Sequence, residues 1–259
     1  METIRIDTDA RGVATLWLAR ADKHNALSAA MMDELTEAAA TLGADPAVRV
    51  VVLAAEGKSF CAGGDLGWMQ EQMRADAATR RAGAERLAGM LNALNEMPKP
   101  LIGRVHGNAF GGGVGMMSVC DVAVGVHGAR FGFTETKLGL IPATIGPYVL
   151  ARMGEDKARR VFMSARLFDA AEAVRLNLLA AVVNAGDLDA AVEDEVAPYL
   201  SVAPGAVAEA KRLARALGPR IDAEVIAHSI GRLIAVWEGE EAAEGIAAFF
   251  EKRPPAWAQ

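Results

Sequence analysis

Two glycine-rich turns and one glutamate are the groups in this sequence best suited to chemistry. The turn GKSFCAGGD, Gly57 to Asp65, follows VRVVVLA at Val48 to Ala54, a β-branched run typical of a strand buried on both faces. The second turn, Gly111-Gly112-Gly113, follows a short strand predicted over Leu101 to Val105 and leads into the apolar, helix-like stretch VGMMSVC. Exposed backbone N–H groups at such turns, with the positive end of a helix behind the second, favour a developing negative charge. Glu135 lies in FGFTETKLGLIP, flanked by Phe131, Phe133, Leu138 and Ile141, which points to a poorly solvated carboxyl able to exchange protons near neutral pH. Taken alone, glycine turns after strands are ordinarily just tight turns, and a loop glutamate is ordinarily solvated.

Competing chemistries fail on spacing. Gly57-Lys58-Ser59 looks like the end of a phosphate-binding P-loop, but the first glycine that motif needs would fall on Val52. The glycines at 111, 112, 113 and 115 do not make a dinucleotide fingerprint, because the third glycine would fall on Met116 or Ser118. His24, His106, His127 and His228 are scattered without paired-ligand spacing, so no metal site is expected.

These groups are positioned by an alternation of strand, glycine loop and helix. Ile4 to Ile6 and Val13 to Leu18 predict a strand pair turning at Arg11-Gly12, and Ser28 caps a helix running to about Leu42. A long helical region runs from the first glycine loop to Met97, where Pro98-Lys99-Pro100 stops it. Val122 to Val126 predicts another strand, and helices dominate from Tyr148 onward. From about Val196 the pattern reads as three helices with breaks at Pro204 and Gly218-Pro219, too few to enclose a core of their own.

At 259 residues and 52% hydrophobic, the chain can bury a sizeable core. Its net charge of −6, with no isolated basic block, disfavours nucleic acid as a partner. No stretch of about twenty residues is apolar enough to span a membrane. The N-terminus carries no signal- or transit-peptide pattern, and Cys61 and Cys120 are too few for a disulfide framework. A soluble cytoplasmic protein is expected.

Five segments, in order, resemble the crotonase (enoyl-CoA hydratase/isomerase) superfamily: Arg20-x-x-Lys23-x-Asn25-Ala26-Leu27, Ser59-Phe60-Cys61-Ala62-Gly63-Gly64-Asp65-Leu66, Gly111-Gly112-Gly113, Phe131-Gly132-Phe133-Thr134-Glu135 and Ala248-Phe249-Phe250-Glu251-Lys252-Arg253. The resemblance implies an α/β protein of the ClpP/crotonase fold: a spiral of ββα units over residues 1–195, then a helical trimerisation region over 196–259. It implies homotrimers or hexamers, an acyl-CoA substrate and no tightly bound cofactor, coenzyme A entering as part of the substrate. By the same resemblance the N–H groups of Ala62 and Gly112 form an oxyanion hole and Glu135 is the acid/base. Lys23, Ala26, Cys61, Gly64, Asp65, Leu66 and Lys252 lie along coenzyme A, Lys252 from the neighbouring subunit. Trp68, Met69, Gly115 and Gly139 line the acyl pocket. Read from the residues alone, Asp65 is a helix cap, the cysteines are small buried hydrophobes, the lysines are solvated and a Met/Trp stripe is core.

The family pattern breaks at Gly115, where two-glutamate hydratases carry their second glutamate. Single-glutamate members include isomerases that move a double bond from β,γ to α,β. AGGDLGWM at Ala62 to Met69, and FGGGVGMMSVCDVAVG with TKLGLIPATIGPYV, resemble instead the bacterial methylglutaconyl-CoA and carboxygeranoyl-CoA hydratases, which share this glycine. Their substrates bear a second carboxylate, for which Lys137 or Arg74 is a candidate partner. The expected activity is enoyl-CoA hydration. Enoyl-CoA isomerisation is the near alternative and a non-catalytic or RNA-binding member the remote one.

Overall fold

The computed structural model describes residues 1–258. It opens with the antiparallel pair β1 (Ile4–Thr8) and β2 (Val13–Leu18), in register Ile4 to Leu18, turning at Gly12 with φ +84°. Helix α1 (Ala29–Ala44) starts at Ser28, whose hydroxyl accepts from the Met31 amide at 3.3 Å. It buries Met31, Met32, Leu35 and Leu42. Strand β3 (Val50–Ala55) is buried at every position, as its uninterrupted apolar run requires of a parallel strand covered on both faces.

From β3 onward the chain repeats one unit, a strand, a very short second strand, then helix. β3 is followed by β4 (Ser59–Cys61), α2 (Leu66–Arg74) and α3 (Ala77–Glu96). Next come β5 (Leu101–Val105), β6 (Asn108–Phe110) and α4 (Gly112–Val119), then β7 (Val122–Val126), β8 (Arg130–Gly132), α5 (Gly146–Met153) and α6 (Glu155–Phe162). β9 (Phe168–Asp169), α7 (Ala170–Arg175), β10 (Ala181–Val183) and α8 (Leu188–Val196) complete the spiral. The first strand of each unit joins a six-stranded sheet of order β1-β2-β3-β5-β7-β10, and the second joins a four-stranded sheet of order β4-β6-β8-β9. The helical region after the first glycine loop is two helices, because Asp76 ends one and caps the next by accepting from the Thr79 amide at 2.8 Å.

The last three helices are α9 (Pro204–Leu217), α10 (Ala223–Trp237) and α11 (Glu240–Glu251). The breaks at Pro204 and Gly218-Pro219 bound α9 as expected, but the stretch before Pro204 is only a 3₁₀ turn, Ala197–Leu200, and a further, unexpected break at Gly239 divides the remainder in two. Two of them lie on this chain's own core. Ile230, Leu233 and Ile234 of α10 and Ala242 and Ile246 of α11 form a second apolar cluster with Ala84, Ala88, Leu140 and Ala143. α9 buries no residue fully and leaves Leu213 and Leu217 exposed. Among the described residues no helix is long and apolar enough to cross a membrane.

α11 meets the core without side chains between backbones. A Cβ on Gly245 would lie 2.5 Å from the carbonyl carbon of Leu138, and one on Gly139, at φ +65°, would lie 2.5 Å from the carbonyl carbon of Glu241. Backbone cannot retreat as a side chain can, so Gly245→Ala should cost about 1–3 kcal/mol in urea denaturation. Gly231→Ala on α10, where nothing lies within 4 Å of the new methyl, should stay within about 1 kcal/mol of wild type.

Candidate active site

The first glycine loop is fixed by the segment that precedes α1. Asn25 is fully buried; its amide nitrogen donates to the carbonyls of Glu56 and Ser59 at 2.8 and 2.9 Å, and its Oδ1 accepts from the Arg20 amide at 2.9 Å. This stitch lays Leu27 beside the loop as a one-residue parallel bridge. The Leu27 amide donates to Gly63 at 2.7 Å and its carbonyl accepts from Asp65 at 3.0 Å. In such a bridge the opposed residue, Gly64, turns its own N–H to the other side. That N–H has no acceptor among the described residues. The Ala62 N–H, the expected oxyanion donor, is instead taken by the His24 carbonyl at 3.0 Å. The free donor of this loop is therefore Gly64, which corrects the assignment to Ala62.

The second loop supplies the other donor. Gly111, at φ +48°, turns β6 into α4, so Gly112 stands at the first helical position with its N–H unpaired. The loops touch: a Cβ on Gly63 would lie 3.0 Å from the Phe110 carbonyl oxygen and 3.8 Å from the Gly112 nitrogen. Gly113 packs directly on Cys61, leaving no room for a side chain. Two unpaired amides thus face one place, the second at a helix N-terminus, and an oxyanion there would meet donors already oriented.

Glu135 begins a 3₁₀ turn, Glu135–Leu138, behind β8. A Cβ on Gly111 would lie 3.1 Å from its Oε1, so the carboxyl adjoins the Gly112 amide. Its Oε2 is cut off from solvent and has no hydrogen-bond partner. Burial raises its pKa to about 7, with its own amide and that of Thr134 pulling slightly the other way. Phe131 on β8 and Phe133 just after it are fully buried, as the sequence pattern led one to expect.

All three groups open on one cavity of about 430 Å³, within the range of small-ligand sites. Trp68 and Met69 line it from α2, with Leu66 at the exposed rim. Leu233 and Trp237 of α10 and Phe249 of α11 also line it. Those three come from the tail expected to serve trimerisation; the sequence marked Phe249 within a motif but gave no sign of which face α10 turns inward. Gly139 does not line the cavity, because it is the left-handed cap against which α11 docks. Cys61 is fully buried, its thiol pushed up to about 12 by desolvation, and offers no ligand group to the cavity.

Asp65 caps α2 through the Gly67 and Trp68 amides and pairs with Arg20 at 3.0 Å. Burial opposes its charge, but the Trp68 amide and Arg20 outweigh that and hold its pKa below the ordinary value. Ala26 is buried, with its amide bonded to Lys23 and its carbonyl to Arg20. Lys23 and Lys252 are exposed and lie outside the cavity lining.

Known proteins resemble this chain over nearly its whole length. The family model described as enoyl-CoA hydratase/isomerase matches residues 8–259. The chain belongs to the enoyl-CoA hydratase/isomerase family. It is 34% identical to an enoyl-CoA hydratase of Alternaria alternata over 92% of this chain and 78% of that one. It is 30% identical to the mitochondrial methylglutaconyl-CoA hydratase of Mus musculus, over 97% of this chain and 81% of that one. Among solved structures, an enoyl-CoA hydratase from Shewanella pealeana superposes with TM-score 0.81 at 37% identity, over 99% and 96% of the two chains. The crotonase resemblance drawn from the five segments is thereby established for fold and family.

Within this family the glycine at 115 has a physical counterpart. Gly115 is buried in α4 and absent from the cavity lining, contrary to expectation, because Ile145 covers it. A Cβ on Gly115 would overlap the Ile145 side chain, reaching its Cβ at 3.0 Å. Ile145 itself lines the cavity, so an apolar wall stands where a second carboxyl would project, and among the described residues Glu135 is the one carboxyl in the lining.

A buried carboxyl that ionises near 7 has a sign for stability. The unfolded chain releases this proton near 4.5 and the folded chain near 7, so folding is penalised as pH rises through that window. Glu135→Gln should therefore gain on wild type by about 1–3 kcal/mol between pH 4 and pH 8, read from paired urea melts.

Proposed function

We propose that this protein hydrates α,β-unsaturated acyl-CoA thioesters, with the thioester oxygen held by the N–H groups of Gly64 and Gly112. The supporting observation is the meeting of those two unpaired amides with a single carboxyl that ionises near neutrality, in one mostly apolar cavity. The Glu135 carboxylate takes a proton from water as the water oxygen bonds to Cβ. The electrons of the double bond move toward the thioester, whose oxygen becomes the enolate anion. Glu135 then returns that proton to Cα, the enolate collapses and the carboxylate is regenerated. One group serves as base and then acid, which a pKa near the working pH favours. Coenzyme A arrives with the substrate, and no tightly bound cofactor enters the scheme.

The finer reading is an acyl group of the methylglutaconyl type, supported by the motif resemblance and by the similarity to the Mus musculus hydratase. Assembly as trimers or hexamers fits the exposed Leu213 and Leu217 of α9. Lys252, exposed at the end of α11, is then available to a neighbouring subunit's nucleotide. A cytoplasmic location fits the two unpaired, buried cysteines. A second reading, enoyl-CoA isomerisation, is favoured by the apolar wall of Ile145: Glu135 would move one proton between Cα and Cγ with no water to activate.

Assays on methylglutaconyl-CoA, crotonyl-CoA and a β,γ-enoyl-CoA separate these reactions. Hydration should be present in wild type and fall by about two to four orders of magnitude in Glu135→Gln. Isomerisation without hydration would move the protein to the second reading. Replacing Gly64 by proline, which deletes the donor, should lower kcat by about two to three orders of magnitude. For wild type, kcat/KM should rise with pH and level off above about 7, as the Glu135 carboxylate forms.

A further inference from the structure

The cavity carries a polar corner that the hydration scheme leaves unused. Gln72, on the inward face of α2, is 6% exposed and lines the cavity. Its Oε1 is buried without a partner, and its Nε2 donates to no group among the described residues. Gly83 of α3 makes room for it: a Cβ there would lie 2.6 Å from Gln72 Oε1 and 3.2 Å from the Trp68 ring. The other edge of that indole lies 3.8 Å from a Cβ built on Gly64. One indole therefore separates the Gly64 loop from the Gln72 amide.

Arg80 stands beside it. Its Nε donates to the Gln72 carbonyl at 3.0 Å and its Nη2 to the Met73 carbonyl at 3.2 Å, fixing the guanidinium over the end of α2. Nη1 has no acceptor, and no carboxylate pairs with Arg80 among the described residues. The other cation of the lining, Lys137, is exposed on the Glu135 turn, and Arg74 is outside the lining. The Gln72 oxygen faces Gly83 and accepts from nothing, so the groups open to an anion are the Gln72 N–H donors and the Arg80 Nη1, whose charge the Asp76 carboxylate reaches electrostatically without forming an ion pair.

We propose that Gln72 and Arg80 form an anion subsite at the far end of the acyl cavity, which takes a carboxylate on the distal carbon of a short acyl chain. The assignment rests on the reading of this cavity as an acyl-CoA site. With the thioester oxygen at Gly64 and Gly112, the chain passes the Trp68 face and brings its terminal carboxylate to the Arg80 fork, while Gln72 donates to the second oxygen. A monoacid of similar length leaves both groups unpaired, so the corner selects for the diacid.

Binding of saturated thioesters tests this without chemistry. Calorimetric titration should show glutaryl-CoA binding wild type roughly 10- to 100-fold more tightly than butyryl-CoA, the worth of a charge-assisted pair. Arg80→Met and Gln72→Leu should each reduce that ratio, Arg80→Met to near unity, with Arg80→Lys retaining part of it. Because Arg80 also caps α2, the ratio of the two ligands in each variant is the readout, and a general loosening lowers both affinities together. Equal affinities in wild type, or a ratio unchanged in Arg80→Met, would overturn the subsite. A diacid preference that depends on Arg80 in a protein that hydrates no enoyl-CoA would sustain the subsite and remove the hydratase reading.

Discussion

Everything in this site depends on two stretches of backbone being closer than side chains permit. The loop after β4 and the first turn of α4 touch through Gly63, Gly112 and Gly113, with the Cys61 carbonyl against the helix. That contact brings the Gly64 and Gly112 amides to one place and leaves both without partners. Both residues are half-buried and open on the cavity, where an amide lacks a protein partner but is held in place by rigid surroundings. Asn25 and the Leu27 bridge hold one loop, and the strand-to-helix turn at Gly111 holds the other. The donors are thus oriented before any ligand arrives, which is what makes backbone amides effective toward a developing charge.

Glu135 is a second departure from ease. Its carboxyl has lost water without gaining a hydrogen bond at Oε2, and the turn that carries it is held from behind by α11 at Gly245. The C-terminal helices therefore belong to the site as much as to any assembly: they fix the turn and wall the cavity with Leu233, Trp237 and Phe249. The tail and the spiral core are chemically one unit.

Much of this was legible in the residues, and the illegible parts share a cause. The long strands show in their β-branched runs, and Glu135 stands out because Phe131 and Phe133 shortly precede it in an apolar segment. The two- and three-residue strands of the smaller sheet are too short to carry a period, and they become strands only through pairing with one another. Within AGGD the sequence does not say which amide is free, since that is decided by Leu27 thirty-odd residues earlier in the chain. Gly139 and Gly115 look like pocket residues in a linear motif, yet each is glycine because another part of the chain presses on it. Gln72 and Arg80 had no motif to mark them; their significance lies in missing partners, which only packing reveals.

The pressing of Ile145 on Gly115 also limits what one substitution can add to this site. Glutamate at 115 would meet a β-branched neighbour, so that single substitution does not seat a second carboxyl in the cavity. Nor does shrinking Ile145 alone restore anything, since it opens a void over a glycine. The contact between these two positions thus keeps the cavity wall apolar at this place, and admitting a second carboxyl would require both to change together.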